Sequence, residues 1–192
     1  MRVITGKYKG RKLETPSGKE IRPTSDKVKE SIFNLLMNDC YDAVFCDLFC
    51  GTGSLGIEAL SRGARKCYFC DSARESIRLT RDNLAHCGAE DEAVVLQGEY
   101  GRALGRIREK VDVFLLDPPY RAGLYESCLA KICELDLLQP DGIIIAEHDS
   151  RGELPSEVND LVLTRERRYG KTTISIYRHR DFVSRTENEE EE

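Results

Sequence analysis

From residue 43 to residue 148 the chain alternates short apolar runs with segments of helical period, and this rhythm restricts the fold more than any other feature. AVFCDLF (43–49), KCYFCD (66–71), AVVLQG (93–98), VDVFLLD (111–117) and DGIIIAEH (141–148) read as buried strands. Between them lie a helix running to about Arg62, ARESIRLTRDNLAHCG (73–88) closed by Gly88, YGRALGRIREK (100–110) and LYESCLAKICELDLL (124–138). The last of these gathers Leu124, Cys128, Leu129, Ile132 and Leu135 on one face. Strands joined through single helices make right-handed crossovers, so a parallel sheet with helices on both faces is expected. The rhythm then changes. LVLTRERRYGKTTISIYRH (161–179) has two β-rich runs around Tyr169-Gly170-Lys171, a hairpin signal.

A chain of 192 residues fits one domain with at most a small appendage, and 40% hydrophobic residues suffice for a core. No run of eighteen apolar residues occurs, so no membrane span is expected. The opening MRVITGKYKGRK lacks the apolar stretch of a signal peptide, and a cytoplasmic protein is expected. Most of the eight cysteines sit inside apolar runs, where a thiol behaves as a small hydrophobe. Cys67 and Cys70 form a C-x-x-C, but it lies in a strand and has no second pair, so no metal is expected.

The net charge of -5 argues weakly against nucleic acid, yet its distribution is uneven. Residues 1–29 carry Arg2, Lys7, Lys9, Arg11, Lys12, Lys19, Arg22, Lys27 and Lys29 against Glu14, Glu20 and Asp26. The end, TENEEEE, is acidic and reads as a disordered tail. A basic arm on an acidic body suggests a local phosphate-binding face; an ordinary solvated segment is the plainer alternative.

The turn after the first strand reads Asp47-Leu48-Phe49-Cys50-Gly51-Thr52-Gly53-Ser54-Leu55-Gly56. Glycines there let the backbone approach a ligand, and the following helix points free N–H groups at it. Gly51, Gly53 and Gly56 satisfy G-x-G-x-x-G, and Asp71 ends the second strand, so a dinucleotide fits as well. Two details favour S-adenosylmethionine. Asp47, inside the strand end, could hold a cationic amino-acid moiety, and the fourth strand ends in a motif of no use to a dehydrogenase. Asp71 would then accept from the ribose hydroxyls. Glu99 is a weaker candidate for the adenine amino group, or simply an acid at a helix start.

That fourth-strand motif is Asp117-Pro118-Pro119-Tyr120. A base amino group is a weak nucleophile because its lone pair is delocalised into the ring. Catalysis then requires positioning, and acceptors that favour a tetrahedral nitrogen. Asp117 can accept one N–H and the Pro118 carbonyl the other. The two prolines offer no N–H and a fixed φ. Tyr120 offers a stacking face worth roughly 1–3 kcal/mol per base.

These residues, with MRVITGKYKGRKLETP, IRPTSDKVKESIFNLL (21–36), DLFCGTGSLGIEALSRGA (47–64), LLDPPY (115–120) and RYGKTTISIYR, resemble the RsmD-type 16S rRNA guanine-N2 methyltransferases to about Arg178. The resemblance implies methylation of the 2-amino group of one guanine in 16S rRNA, within the small ribosomal subunit or an assembly intermediate, by a monomer. It implies a Rossmann-like S-adenosylmethionine-dependent methyltransferase fold: a mostly parallel seven-stranded sheet, a C-terminal antiparallel hairpin and a small basic N-terminal extension. Lys7, Lys9, Arg11 and Lys12 would grip RNA. Arg22, Pro23 and Thr24 match the segment beside the cofactor and substrate pocket, and Thr24 or Ser25 also suits a helix cap. Cys50 and Thr52 replace the common Ala and Ser, and Glu99 stands where Asp is frequent.

The expected organisation is an RNA-contacting extension over 1–24, a methyltransferase domain over 25–180 and an acidic tail over 181–192. Three alternatives remain: an N6-adenine or other-RNA amino methyltransferase, an NAD-dependent oxidoreductase, and a non-catalytic RNA-binding assembly factor.

Overall fold

The computed structural model describes residues 1–16, 26–37, 39–119 and 124–190, the side chains of 187–190 aside. In chain order the elements are α1 (Asp26–Leu35), β1 (Val44–Leu48), α2 (Ser54–Ser61), β2 (Lys66–Asp71), α3 (Arg74–Cys87), β3 (Ala93–Gln97), α4 (Tyr100–Leu104), β4 (Val111–Leu116), α5 (Leu124–Glu134), β5 (Leu138–Asp149), β6 (Glu157–Val158), β7 (Leu161–Tyr169), β8 (Thr172–His179) and α6 (Arg180–Glu190). They build one eight-stranded sheet in the order β3-β2-β1-β4-β5-β8-β7-β6. The first five of these strands pair in parallel and the rest antiparallel. The chain leaves β1 in one direction through β2 and β3 and in the other through β4 and β5. A crevice therefore opens at the carboxyl ends of β1 and β4, where open α/β sheets bind ligands.

Alternation along each strand divides the interior into two layers. Phe45, Phe69, Val113, Leu115, Ile143, Ile145, Ile174 and Ile176 face the layer of α1, α2 and α3. Val44, Cys46, Leu48, Phe114, Leu116, Ile144, Ala146 and Tyr177 face that of α4 and α5. The same alternation explains the C-x-x-C. Three residues apart on a strand, Cys67 and Cys70 point into opposite layers, buried and free.

The first sixteen residues are part of this core. Val3, Tyr8 and Leu13 are buried against the α1–α3 layer, and a bridge between Arg2 and Lys12 closes the segment into a hook. Glu58 of α2, itself buried, accepts the amides of Ile4 (2.8 Å) and Thr5 (3.0 Å). The Arg62 guanidinium donates to it at 2.9 Å, and the fully buried Lys29 ammonium lies 3.4 Å away. Lys29 also donates to the Arg2 carbonyl at 2.6 Å. Gly6 (φ 85°) passes so close to α2 that a Cβ would lie 1.7 Å from the Ser61 carbonyl oxygen, so only glycine fits there.

Three expectations are corrected. The sheet has eight strands, not seven, because Glu157–Val158 pairs with Leu161 and Val162 as an outer edge around Asn159 (φ 53°). Two residues are too short to carry a strand pattern. Helix α5 stops at Glu134, since Asp136 turns left-handed (φ 49°), and β5 takes the chain from Leu138. Residues from 181 form α6 to Glu190 instead of a disordered tail. The Arg180 amide donates to the Asp160 carbonyl at 2.8 Å, Arg180 pairs with Glu157, and Arg178 lies 4.7 Å over the Phe182 ring. Among the described residues no helix is long and apolar enough to cross a membrane, and no cluster suits a metal ion.

Candidate active site

The glycine turn is held by β2. The amides of Phe49 and Cys50 both donate to the Cys70 carbonyl, at 2.8 and 2.9 Å. This bends the chain sharply enough that Phe49 takes φ 83°, a costly value for an aromatic residue. Asp71 then fastens the turn. Its Oδ2 accepts the Gly51 amide at 3.0 Å and its Oδ1 the Ala73 amide at 2.8 Å. Each oxygen keeps further acceptor capacity. The Thr80 hydroxyl donates to the Gly51 carbonyl, and Asn83 to the Thr52 carbonyl. Gly51 (φ 56°) has nothing within 4 Å of where a Cβ would stand, so the turn is open on its ligand side.

Beside the turn is a small cavity lined by Leu48, Phe49, Cys70, Asp71, Ser72, Gly98, Glu99 and Tyr100. Phe49 and Tyr100, with ring centroids 6.2 Å apart, contribute aromatic walls, and Asp71 and Glu99 contribute carboxylates. An aromatic slot flanked by two acceptors matches a nucleoside, whose ribose hydroxyls and ring amino group are donors. Glu99, the weaker candidate in the sequence, lines the same cavity as Asp71.

Deeper in the crevice lie three carboxylates. Asp47 is buried at the end of β1, its Oδ2 accepting the Gly56 amide at 2.9 Å. Burial pushes its pKa up to about 7 against the pull of that amide, with the Asp71 charge adding to the rise. Asp117 follows β4, half-buried, with Pro118 buried behind it and Pro119 exposed. Burial raises Asp117 well above the usual carboxylate range, and the charges of Glu147 and Asp47 raise it further.

Glu147 was not singled out in the sequence. Leu116 of β4 pairs with Ala146 of β5, so one residue further Asp117 and Glu147 stand side by side. Both share the sheet face of Leu115 and Ile145, the face on which Asp47 also lies. Glu147 is 6% exposed, and its backbone carbonyl accepts the Tyr125 hydroxyl at 2.5 Å. The one available signal was an acid ending the apolar run IIIAEH, which by itself is an ordinary strand end.

The remaining sequence candidates divide. Tyr120, Arg22 and Thr24 lie outside the described residues. Lys7 is ion-paired with Glu92, and Arg11 donates to the His86 carbonyl at 2.5 Å, both flanking the Tyr8 ring. Lys9 and Lys12 are exposed. The hook bearing these four docks on α2 and α3, whereas Asp117 and Glu147 lie across the sheet on β4 and β5.

Known proteins are similar to this chain in sequence and fold. The family model described as Conserved hypothetical protein 95 matches residues 1–178. YlbH of Bacillus subtilis is 43% identical, covering 94% of this chain and 100% of its own. Ribosomal RNA small subunit methyltransferase D of Haemophilus influenzae is 32% identical, covering 93% of this chain and 94% of its own. The solved structure of yhhF from Escherichia coli superposes with a TM-score of 0.84 at 30% identity, covering 93% of this chain and 97% of that one.

Proposed function

The chain belongs to the RsmD family, and from that premise we propose that it transfers a methyl group from S-adenosylmethionine to the exocyclic 2-amino group of a guanine in 16S rRNA. The carrying observation is the position of Asp117, which follows β4 beside β1, the strand whose end lines the small cavity with Asp71 and Glu99. The substrate would be the small ribosomal subunit or its assembly intermediate, and the enzyme a monomer.

The residues present fit the cofactor. Asp71 would accept the ribose hydroxyls and Glu99 the adenine amino group, with Phe49 and Tyr100 against the ring. Asp47 would sit toward the cationic amino-acid end, whose charge favours its ionised form. When bound, the cofactor supplies an electrophilic methyl group on a cationic sulfur.

The acceptor side falls to the residues after β4. Asp117 would accept one N–H of the base amino group and the Pro118 carbonyl the other, drawing the nitrogen lone pair out of conjugation. Once methylated the nitrogen is cationic and acidic, and its proton passes to the Asp117 carboxylate, whose raised pKa suits it to hold one. Tyr120 would stack on the base, with Arg22 and Thr24 beside the pocket. Lys7, Lys9, Arg11 and Lys12 would meet RNA, Lys9 and Lys12 being the two not bound to the body.

The test is methyl transfer from labelled cofactor to small subunits lacking the modification, with free 16S rRNA in parallel and nucleoside analysis of the product. N2-methylguanosine is expected. N6-methyladenosine would keep the chemistry and replace the base, and no incorporation into either substrate would overturn the proposal.

A further inference from the structure

The second basic region is the β7 strand, LTRERRY (163–169), and the register puts it in line with the candidate site. Glu147 of β5 pairs with Ile174 of β8, and Ile174 with Arg167 of β7. Asp117, Glu147, Ile174 and Arg167 thus form one row across the sheet. Laterally paired residues share a face, so Arg167 lies on the side of the carboxylates, three strands and about 14 Å from Asp117. Arg165, opposite Ile176, is on the same face one pleat below. Both arginines are exposed, and among the described residues neither side chain has an ion pair or hydrogen bond.

Several other exposed cations of this protein do have partners. Lys7 pairs with Glu92, Arg78 with Glu75 and Asp82, Arg151 with Asp149, and Arg180 with Glu157. The lone acid within the β7 run, Glu166, is held on the opposite face, where the buried Ser175 hydroxyl donates to it at 2.7 Å. Ser175 in turn meets buried His148 at 2.8 Å. Two like charges about 7 Å apart along one strand, with the intervening acid held on the other face, repel unless an external anion lies over them. A carboxylate-lined crevice also repels nucleic acid, so the cations that draw it in must stand at the rim.

We propose that Arg165 and Arg167 are a docking strip for RNA, binding backbone phosphates next to the nucleotide whose base reaches Asp117. This rests on the RNA-methylation reading. It makes the β7 face, at the acceptor end of the sheet, a substrate contact separate from the N-terminal hook.

The experiment compares wild type with Arg165→Gln/Arg167→Gln and Lys9→Gln/Lys12→Gln for binding to a 16S rRNA fragment across a salt series. Removing two phosphate contacts should flatten the log–log salt slope by about 1.4. Raising salt from 50 to 200 mM should then weaken wild type about sevenfold more than the β7 variant. KM for RNA should rise while kcat at saturating RNA and S-adenosylmethionine affinity stay unchanged, and Arg165→Lys/Arg167→Lys should recover the slope. A β7 variant with wild-type slope and KM would overturn the strip while leaving methyl transfer intact. A wild-type protein that neither binds nor methylates RNA would overturn the strip together with the reading beneath it.

Discussion

The two halves of the sheet treat their acids differently. On the β1–β2 side each carboxylate already has work within the backbone: Asp71 holds the amides of Gly51 and Ala73, and Asp47 holds that of Gly56. The hook is tied to the same half through Glu58, Lys29 and Arg62. On the β4–β5 side Asp117 and Glu147 stand together, and burial, with the Glu147 and Asp47 charges added, raises the Asp117 pKa. One half is a preformed receptacle whose acids build its shape. The other holds Asp117 at high energy beside a second acid, where an incoming cation or proton relieves it.

The predictions that follow separate the two halves, beginning with the largest. Asp117→Ala should lower the single-turnover rate about a thousandfold, measured by quenched flow with labelled cofactor. A loss below tenfold would remove Asp117 from the chemistry. Glu58→Ala strands buried Lys29 and the Ile4 and Thr5 amides, and should cost about 4 kcal/mol by urea unfolding. A cost under about 1 kcal/mol would mean the hook is not anchored there.

Asp47 supplies a pH test. Its folded-state pKa of about 7 exceeds its ordinary value of 3.8. Between those values the unfolded chain binds fewer protons, so its contribution makes stability fall as pH rises from about 4 to about 7. Asp47→Asn keeps an acceptor for Gly56 and should remove that fall, raising cofactor-free stability at pH 8 by up to about 4 kcal/mol. Denaturant midpoints at pH 5 and pH 8 decide it, and an unchanged pH slope contradicts it.

Asp71→Ala should weaken S-adenosylmethionine about tenfold to a hundredfold, as expected for lost hydrogen bonds to a charged acceptor, with the rate at saturation little changed. The smallest effect belongs to Glu147→Gln. Removing that neighbouring charge lowers the Asp117 pKa, so the acid limb of the rate profile should move to lower pH with its plateau retained. A limb that stays in place would mean Glu147 does not act through Asp117.

The receptacle was legible in the sequence because it is built from residues close along the chain. The glycine turn and Asp47 announce themselves within a few positions, Asp71 comes one strand later, and the Asp-Pro-Pro run of the acceptor half is equally local. Alternating apolar runs likewise gave the parallel strands and the hairpin. Glu147 was not legible, since its neighbour Asp117 lies thirty residues away and only the β4–β5 register joins them. Charge counting also could not show which cations of the first segment have partners. Lys29 was counted with a basic arm, but it is fully buried on Glu58, and Lys7 and Arg11 are engaged by the body. Composition reports charge, whereas only packing reports which charges remain free for a partner.

The most direct test of this division measures cofactor affinity and single-turnover rate on the same preparations of Asp117→Ala and Asp71→Ala. Crossed losses are predicted: Asp117→Ala binds S-adenosylmethionine like wild type and transfers almost nothing, while Asp71→Ala binds weakly and transfers near the normal rate once saturated. Parallel losses of binding and rate in both variants would contradict the division of the sheet into receptacle and acceptor halves.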